Sequence, residues 1–195
     1  AGVALLLVLL VVRDPAVEAG RAARPPSADK WLIYRNPRVL TVAAVYGIVG
    51  LTYIVQAIFM VSFVIDSGFE EATAGWLMAM MGLLSMASGP VWGTLSDAWG
   101  RGNALTAAMA LVTVSMALPL LDQSLPVFFT HFFVMGCAVN GMFTMIQAAS
   151  TDQVAPRYIP IAFSFVTLFF AGGQFIGPAM AGWLIEVSGS FKVAL

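Results

Sequence analysis

The chain has 195 residues, 60% hydrophobic and 10% charged, with a net charge of −1 and a mean hydropathy of +0.91. A soluble domain carries about 45–50% apolar and about 25% charged residues, so one water-facing core cannot bury this much apolar surface, whereas a bilayer can receive it. The small net charge gives no long-range argument for nucleic acid, and a lone cysteine, Cys137, excludes a disulfide framework and a thiol metal site.

In chain order, "AGVALLLVLLVV" (1–12) has no basic segment before it and no small-residue cleavage pattern before Arg13, so it does not read as a signal peptide. At about 1.5 Å per residue it covers roughly 18 Å of a roughly 30 Å hydrocarbon layer, which reads as the end of a truncated transmembrane helix. Residues 13–38 form a polar linker with four prolines and most of the basic residues. Residues 39–195 hold five apolar spans, about 39–65, 73–92, 103–121, 126–149 and 160–185. Each is long enough to cross a bilayer as a helix, and an open strand would strand its backbone groups in lipid. The predicted fold class is therefore all-α and integral to the membrane.

The connections between spans alternate in charge. Arg13, Arg21, Arg24, Lys30, Arg35, Arg38, Arg101 and Arg157 fall in the linker, 93–102 and 150–159, while the opposite set holds Lys192 alone. Acidic residues divide five and five, so only the basic ones discriminate, as the positive-inside rule requires. The linker 13–38 and the loops of its set are expected on the cytoplasmic side. Orientation accounts for this charge better than a nucleic-acid or lipid-headgroup role.

One loop carries a pattern. "GTLSDAWGRGNAL" (93–105) resembles the G-x-L-x-D-x-x-G-R signature of the major facilitator superfamily, matching at Gly93, Leu95, Asp97, Gly100 and Arg101. Ala98 and Gly102 stand where that family usually has basic residues. "GQFIGPAMAGWLIEVSGS" from Gly173 is similar to the eleventh helix of many members of that family, and "YGIVGLTYIVQAIFM" from Tyr46, "GPVWGTLSDAWGRG" and "APRYIPIAFSF" resemble its YbfB/YjiJ-like branch. The resemblance implies a partial C-terminal half of a 12-helix bundle, from the end of helix 6 through helix 11. It also implies a bacterial cytoplasmic (inner) membrane location, an N-terminal half in the same chain, and a conformational latch at Gly93, Asp97, Gly100 and Arg101. By elementary physics, the glycines permit a tight turn and close packing, the Asp97 carboxylate suits a helix N-terminus, and Arg101 lies close enough in sequence to pair with it.

No Asp, Glu, Lys or Arg falls in the middle of a full span. Intramembrane polar residues are functional candidates, though they also serve as packing bonds between helices. Tyr46, Gly50, Tyr53 and Gln56 share about 120° of helical arc, and Asn140, Thr144 and Gln147 form a second stripe. Under the family resemblance these stripes belong to the seventh and tenth helices, which line its central cavity. They are the candidate substrate cavity, with Gln174 as a more peripheral member. His131, nine residues before Asn140, falls on the opposite helix face and reads as structural or interfacial. Gly75, Gly82 and Gly89 recur every seven residues and predict a smooth helix face, as does "GGQFIGPAMAG"; Cys137 reads as a small buried residue.

No metal-ligand cluster, nucleophile motif, intramembrane acid pair or phosphate loop is present, so neither an enzyme nor a cofactor is expected. The leading reading is a secondary transporter moving a small solute by alternating access. Its partners are the lipid bilayer, a small-molecule substrate and, as a possible coupling ion, protons. The alternative is a membrane sensor or structural protein on a transporter fold.

Overall fold

The computed structural model describes residues 27–195; the expected partial helix at 1–12 and the first part of the linker lie outside the described residues. Six helices follow: α1 (Ser27–Tyr34), α2 (Pro37–Asp66), α3 (Glu71–Trp99), α4 (Arg101–Leu121), α5 (Leu125–Thr151) and α6 (Ile159–Ser188). Single 3₁₀ turns precede α6 and close the chain, and no strand occurs among the described residues. Helices α2 to α6 are each long and apolar enough to cross a membrane. α1 lies within the stretch read as linker.

Local chemistry sets the ends of these helices. Asn36 caps α2 by accepting the Arg38 N–H at 3.0 Å, and Pro37 occupies the first helical position, where no N–H is needed. Gly100, at φ +85°, separates α3 from α4, a conformation that side-chain-bearing residues avoid. Gly189 ends α6 in the left-handed region, and its N–H reaches the Ile185 carbonyl. Between α4 and α5, Asp122 accepts both the N–H and the hydroxyl of Ser124.

The main pairings are α2 with α6, α3 with α5 and α4 with α5. α5 is the central helix: Phe128, Phe132, Met135, Met145 and Ile146 on it have no exposed surface. By contrast Trp76, Leu83, Met86, Phe175 and Trp183 on α3 and α6 are largely exposed, an apolar exterior that suits lipid.

Glycines set how closely the pairs approach. A Cβ at Gly173 would fall on the Gly47 carbonyl oxygen and 2.7 Å from the Leu51 nitrogen, and one at Gly177 would fall on the Leu51 carbonyl oxygen. The α2–α6 seam is therefore backbone against backbone, as "GGQFIGPAMAG" predicts. The α3 series behaves otherwise. Gly75 and Gly82 have open space where a Cβ would stand, and Gly89 meets only the Thr144 hydroxyl at 3.4 Å. On the α3–α5 seam the small residues are those of α5: Gly136 lies on Met81 and Leu84, and Gly141 lies under the Trp92 ring. A large indole on α3 needs a missing side chain opposite it, so the heptad of α3 glycines is not the contact.

Candidate functional site

The charges of the loop motif are the least expected ones in so apolar a chain. Asp97 lies in the last turn of α3, exposed and without a partner among the described residues. It does not pair with Arg101. The Arg101 guanidinium instead meets Asp152, Nε to Oδ2 at 3.0 Å, and donates to the Ser96 hydroxyl at 3.3 Å. The reason is geometric: the helix breaks at Gly100, so four residues no longer bring two side chains to one face. Nor does Asp97 cap α4, which starts at Gly100 with no side-chain bond. The ion pair that does form ties the α3–α4 turn to the end of α5. Gly93 sits inside α3, and a Cβ at Gly93, Gly100 or Gly102 would meet nothing within 4 Å, so close packing is not their role here.

The two polar stripes are partly brought together. Gln147 donates to the Tyr46 hydroxyl at 3.1 Å, joining α5 to α2. Phe143 stands between the tyrosines, its ring centroid 6.2 Å from Tyr46 and 4.9 Å from Tyr53, while Phe170 of α6 stacks on Tyr46 at 4.3 Å. Gly50 is buried against the Phe170 backbone. Asn140 and Thr144 are exposed; Asn140 donates to the Ser85 carbonyl at 2.9 Å, and Thr144 returns its hydroxyl proton to the Asn140 carbonyl. Phe133, Cys137, Asn140 and Thr144 form one uncovered line along the central helix. Cys137 is thus exposed and not buried: along this line α5 touches only the edge of α3, through Asn140 on the Ser85 carbonyl and Thr144 beside Gly89. Gln174 is half-buried on α6 and bonds to neither stripe.

One further departure concerns a buried polar group. Gln56 does not share the open face: only 3% of it is exposed, and its amide nitrogen is 3.0 Å from His131 Nε2. His131 is fully buried, away from Asn140 as the helical phase requires, which is the structural of the two readings its position allowed. Its Nδ1 lies 2.7 Å from the Ser115 carbonyl oxygen, and the Ser115 hydroxyl donates to the His131 carbonyl at 2.9 Å. Sequence phase separated Gln56 from His131 because each was read on its own helix, and nothing in either stretch says which faces oppose. Trp92 was missed for the same reason. Its indole donates to the Cys137 carbonyl at 2.8 Å, and Ser88 beside it accepts the Gly141 N–H, pinning α3 to the middle of α5. No group of His, Cys, Asp and Glu among the described residues could hold a metal ion.

Five apolar helices, an arginine loop at one end and a polar line along the central helix are on hand when the chain is compared with known families. The model of the family described as "Uncharacterised MFS-type transporter YbfB" matches residues 1–195. The chain belongs to the major facilitator superfamily. Curated members resemble it more distantly. Organic anion transporter 3 of Mus musculus is 30% identical over 121 residues, 58% of this chain and 22% of that protein. The MFS-type efflux pump MMF1 of Pseudozyma antarctica is 23% identical over 167 residues, 86% of this chain and 30% of that protein. Monocarboxylate transporter 12 of Rattus norvegicus is 24% identical over 142 residues, covering 70% of this chain and 29% of that protein. Matches to these relatives thus span less than a third of their length. As a superfamily member with five membrane-length helices, the chain is a multi-pass membrane protein.

Proposed function

We propose that this chain is part of a secondary active transporter that moves a small solute across the cytoplasmic membrane of a bacterium by alternating access. The open polar line of α5, joined to α2 through the Gln147–Tyr46 bond, is the observation that carries the reading. Asn140, Thr144, Gln147 and Tyr53 offer a solute hydrogen bonds and an aromatic face without a fixed charge, with Tyr46 buried behind them as the partner of Gln147. That suits a neutral or weakly polar solute whose remaining contacts come from an N-terminal half of the same chain. Asp97, exposed at the end of α3 and unpaired among the described residues, is placed to meet such a half when the cytoplasmic side closes, which is the latch role. Membership of a transporter family supports transport over a sensor or scaffold role.

The test is uptake by the intact protein in liposomes across a panel of neutral and anionic solutes. With a transported solute in hand, Asn140→Ala or Thr144→Ala should raise the apparent Km about ten-fold, a loss of about 1.4 kcal/mol, the size of one net hydrogen bond to the solute. Met80→Leu, off the open line, should change it little. Equal small effects at all three positions would place the solute elsewhere.

A further inference from the structure

A buried amide and a buried imidazole meet inside the half-bundle, and neither belongs to the open polar line. The ring's two nitrogens are unequal. Nδ1 faces the Ser115 carbonyl oxygen at 2.7 Å, an atom that only accepts, so Nδ1 carries the hydrogen of the neutral ring. Nε2 is then bare and accepts from the Gln56 amide N–H across 3.0 Å. This leaves Gln56 Oε1 buried with no partner, the single such side-chain atom among the described residues. An orphaned buried acceptor is costly and calls for a use.

We propose that Gln56 and His131 form a proton-binding site in which a half-turn of the Gln56 amide accompanies loading of the ring. A proton arriving from water bonds to Nε2, and the Gln56 N–H that pointed there swings away. Oε1 takes its place and accepts the new Nε2–H, while Nδ1–H keeps its bond to Ser115. Both donors of the imidazolium are then satisfied, and the atom that lacked a partner in the neutral state becomes the acceptor that the charged state needs. A cavity of about 130 Å³ adjoins Gln56, lined by Leu51, Thr52, Val55, Met60 and Met116 and, from the segment after α6, by Ala194 and Leu195, with room for water beside the amide. Among the described residues no charged side chain of the packed helices faces the ring. The charged residues of α2, α3, α4 and α6 all lie in first or last turns, and Tyr53, the nearest titratable group along α2, packs on Phe143. Phe132, next on α5, presents its ring edge-on at 5.1 Å. With no charged side chain beside it among the described residues, the bound proton acts on the bond between α2 and α5 directly. This inference stands whether or not the chain transports a solute.

Histidine-selective ¹⁵N labelling of the intact protein in lipid nanodiscs tests it, with His131→Gln identifying the signals that belong to this ring. Between about pH 8 and about pH 5, where histidine ordinarily changes charge, the two nitrogens should pass from one protonated and one bare to the imidazolium pattern. The Gln56 side-chain amide signals should shift in the same step. Gln56→Met, of similar volume and without an amide, should hold the ring neutral over that interval. Gln56→Glu, an acceptor that needs no half-turn, should hold it charged. A ring that stays neutral throughout in the unsubstituted protein overturns the proposal. So does a ring that charges with the Gln56 amide unmoved, or that charges equally in Gln56→Met.

Discussion

Arg101 and Asp152 show how little a short contact says about its worth. Their side chains are 36% and 46% exposed, so water screens the pair, and an exposed ion pair typically contributes about 0–1 kcal/mol. Arg101→Gln should therefore lower the unfolding free energy by no more than about 1 kcal/mol; a double-mutant cycle with Asp152→Asn checks this. Among the described residues Asp97 has no partner to lose, so Asp97→Asn should leave the melting temperature unchanged. If the latch reading holds, the same change cuts transport while solute binding survives; unchanged transport would reduce Asp97 to a solvated helix end. At this scale the sequence identified the charged residues but paired them wrongly. Spacing along the chain speaks for proximity only while the helix continues, and Gly100 ends it. Asp152, the true partner, lies 51 residues from Arg101, and no local pattern connects them.

Between elements, glycines separate into those that touch and those that do not. At Gly173 and Gly177 an added Cβ would overlap the α2 backbone, and only moving one helix relieves it. Gly173→Val or Gly177→Val should therefore destroy the α2–α6 seam, read as loss of the monodisperse peak in size-exclusion chromatography or a large fall in melting temperature. Gly75→Ala and Gly82→Ala, with open space at the same position, should stay within about 0.5 kcal/mol of the parent and gain slightly in helix propensity. Equal damage from both pairs would mean that the α3 series does pack, against something beyond these helices. The span lengths and the all-α class were legible because charges stop where hydrocarbon begins. Each helix's partner face was not, because a smooth stripe has the same appearance whether it meets a helix or lipid. The burial of Gln56 against His131 is the polar form of that ambiguity.

Over the whole molecule, α2 to α6 run alternately up and down, so the positions of the basic residues fix one end of the bundle. Arg38, Arg101 and Arg157 lie at the ends where α2 starts, α3 passes to α4 and α5 passes to α6; Lys192 follows the far end of α6. The positive-inside bias acts on this asymmetry, and the acids, evenly divided, do not offset it. In a Cys137→Ser background, which removes the one exposed thiol, single cysteines can report the side directly. Ala98→Cys and Gln153→Cys should react with a membrane-impermeant maleimide only after the cytoplasmic face is opened. Glu70→Cys and Asp122→Cys, at the opposite connections, should react in intact cells. The same labels also test the half-cavity: Asn140→Cys, on the uncovered face of α5, should be protected by a transported solute, whereas Ala98→Cys should not. Reversal of the two sides would invert the bundle and remove Asp97 from the face where a cytoplasmic latch can act. Correct sides with no protection at 140 would keep the topology and move the solute off α5.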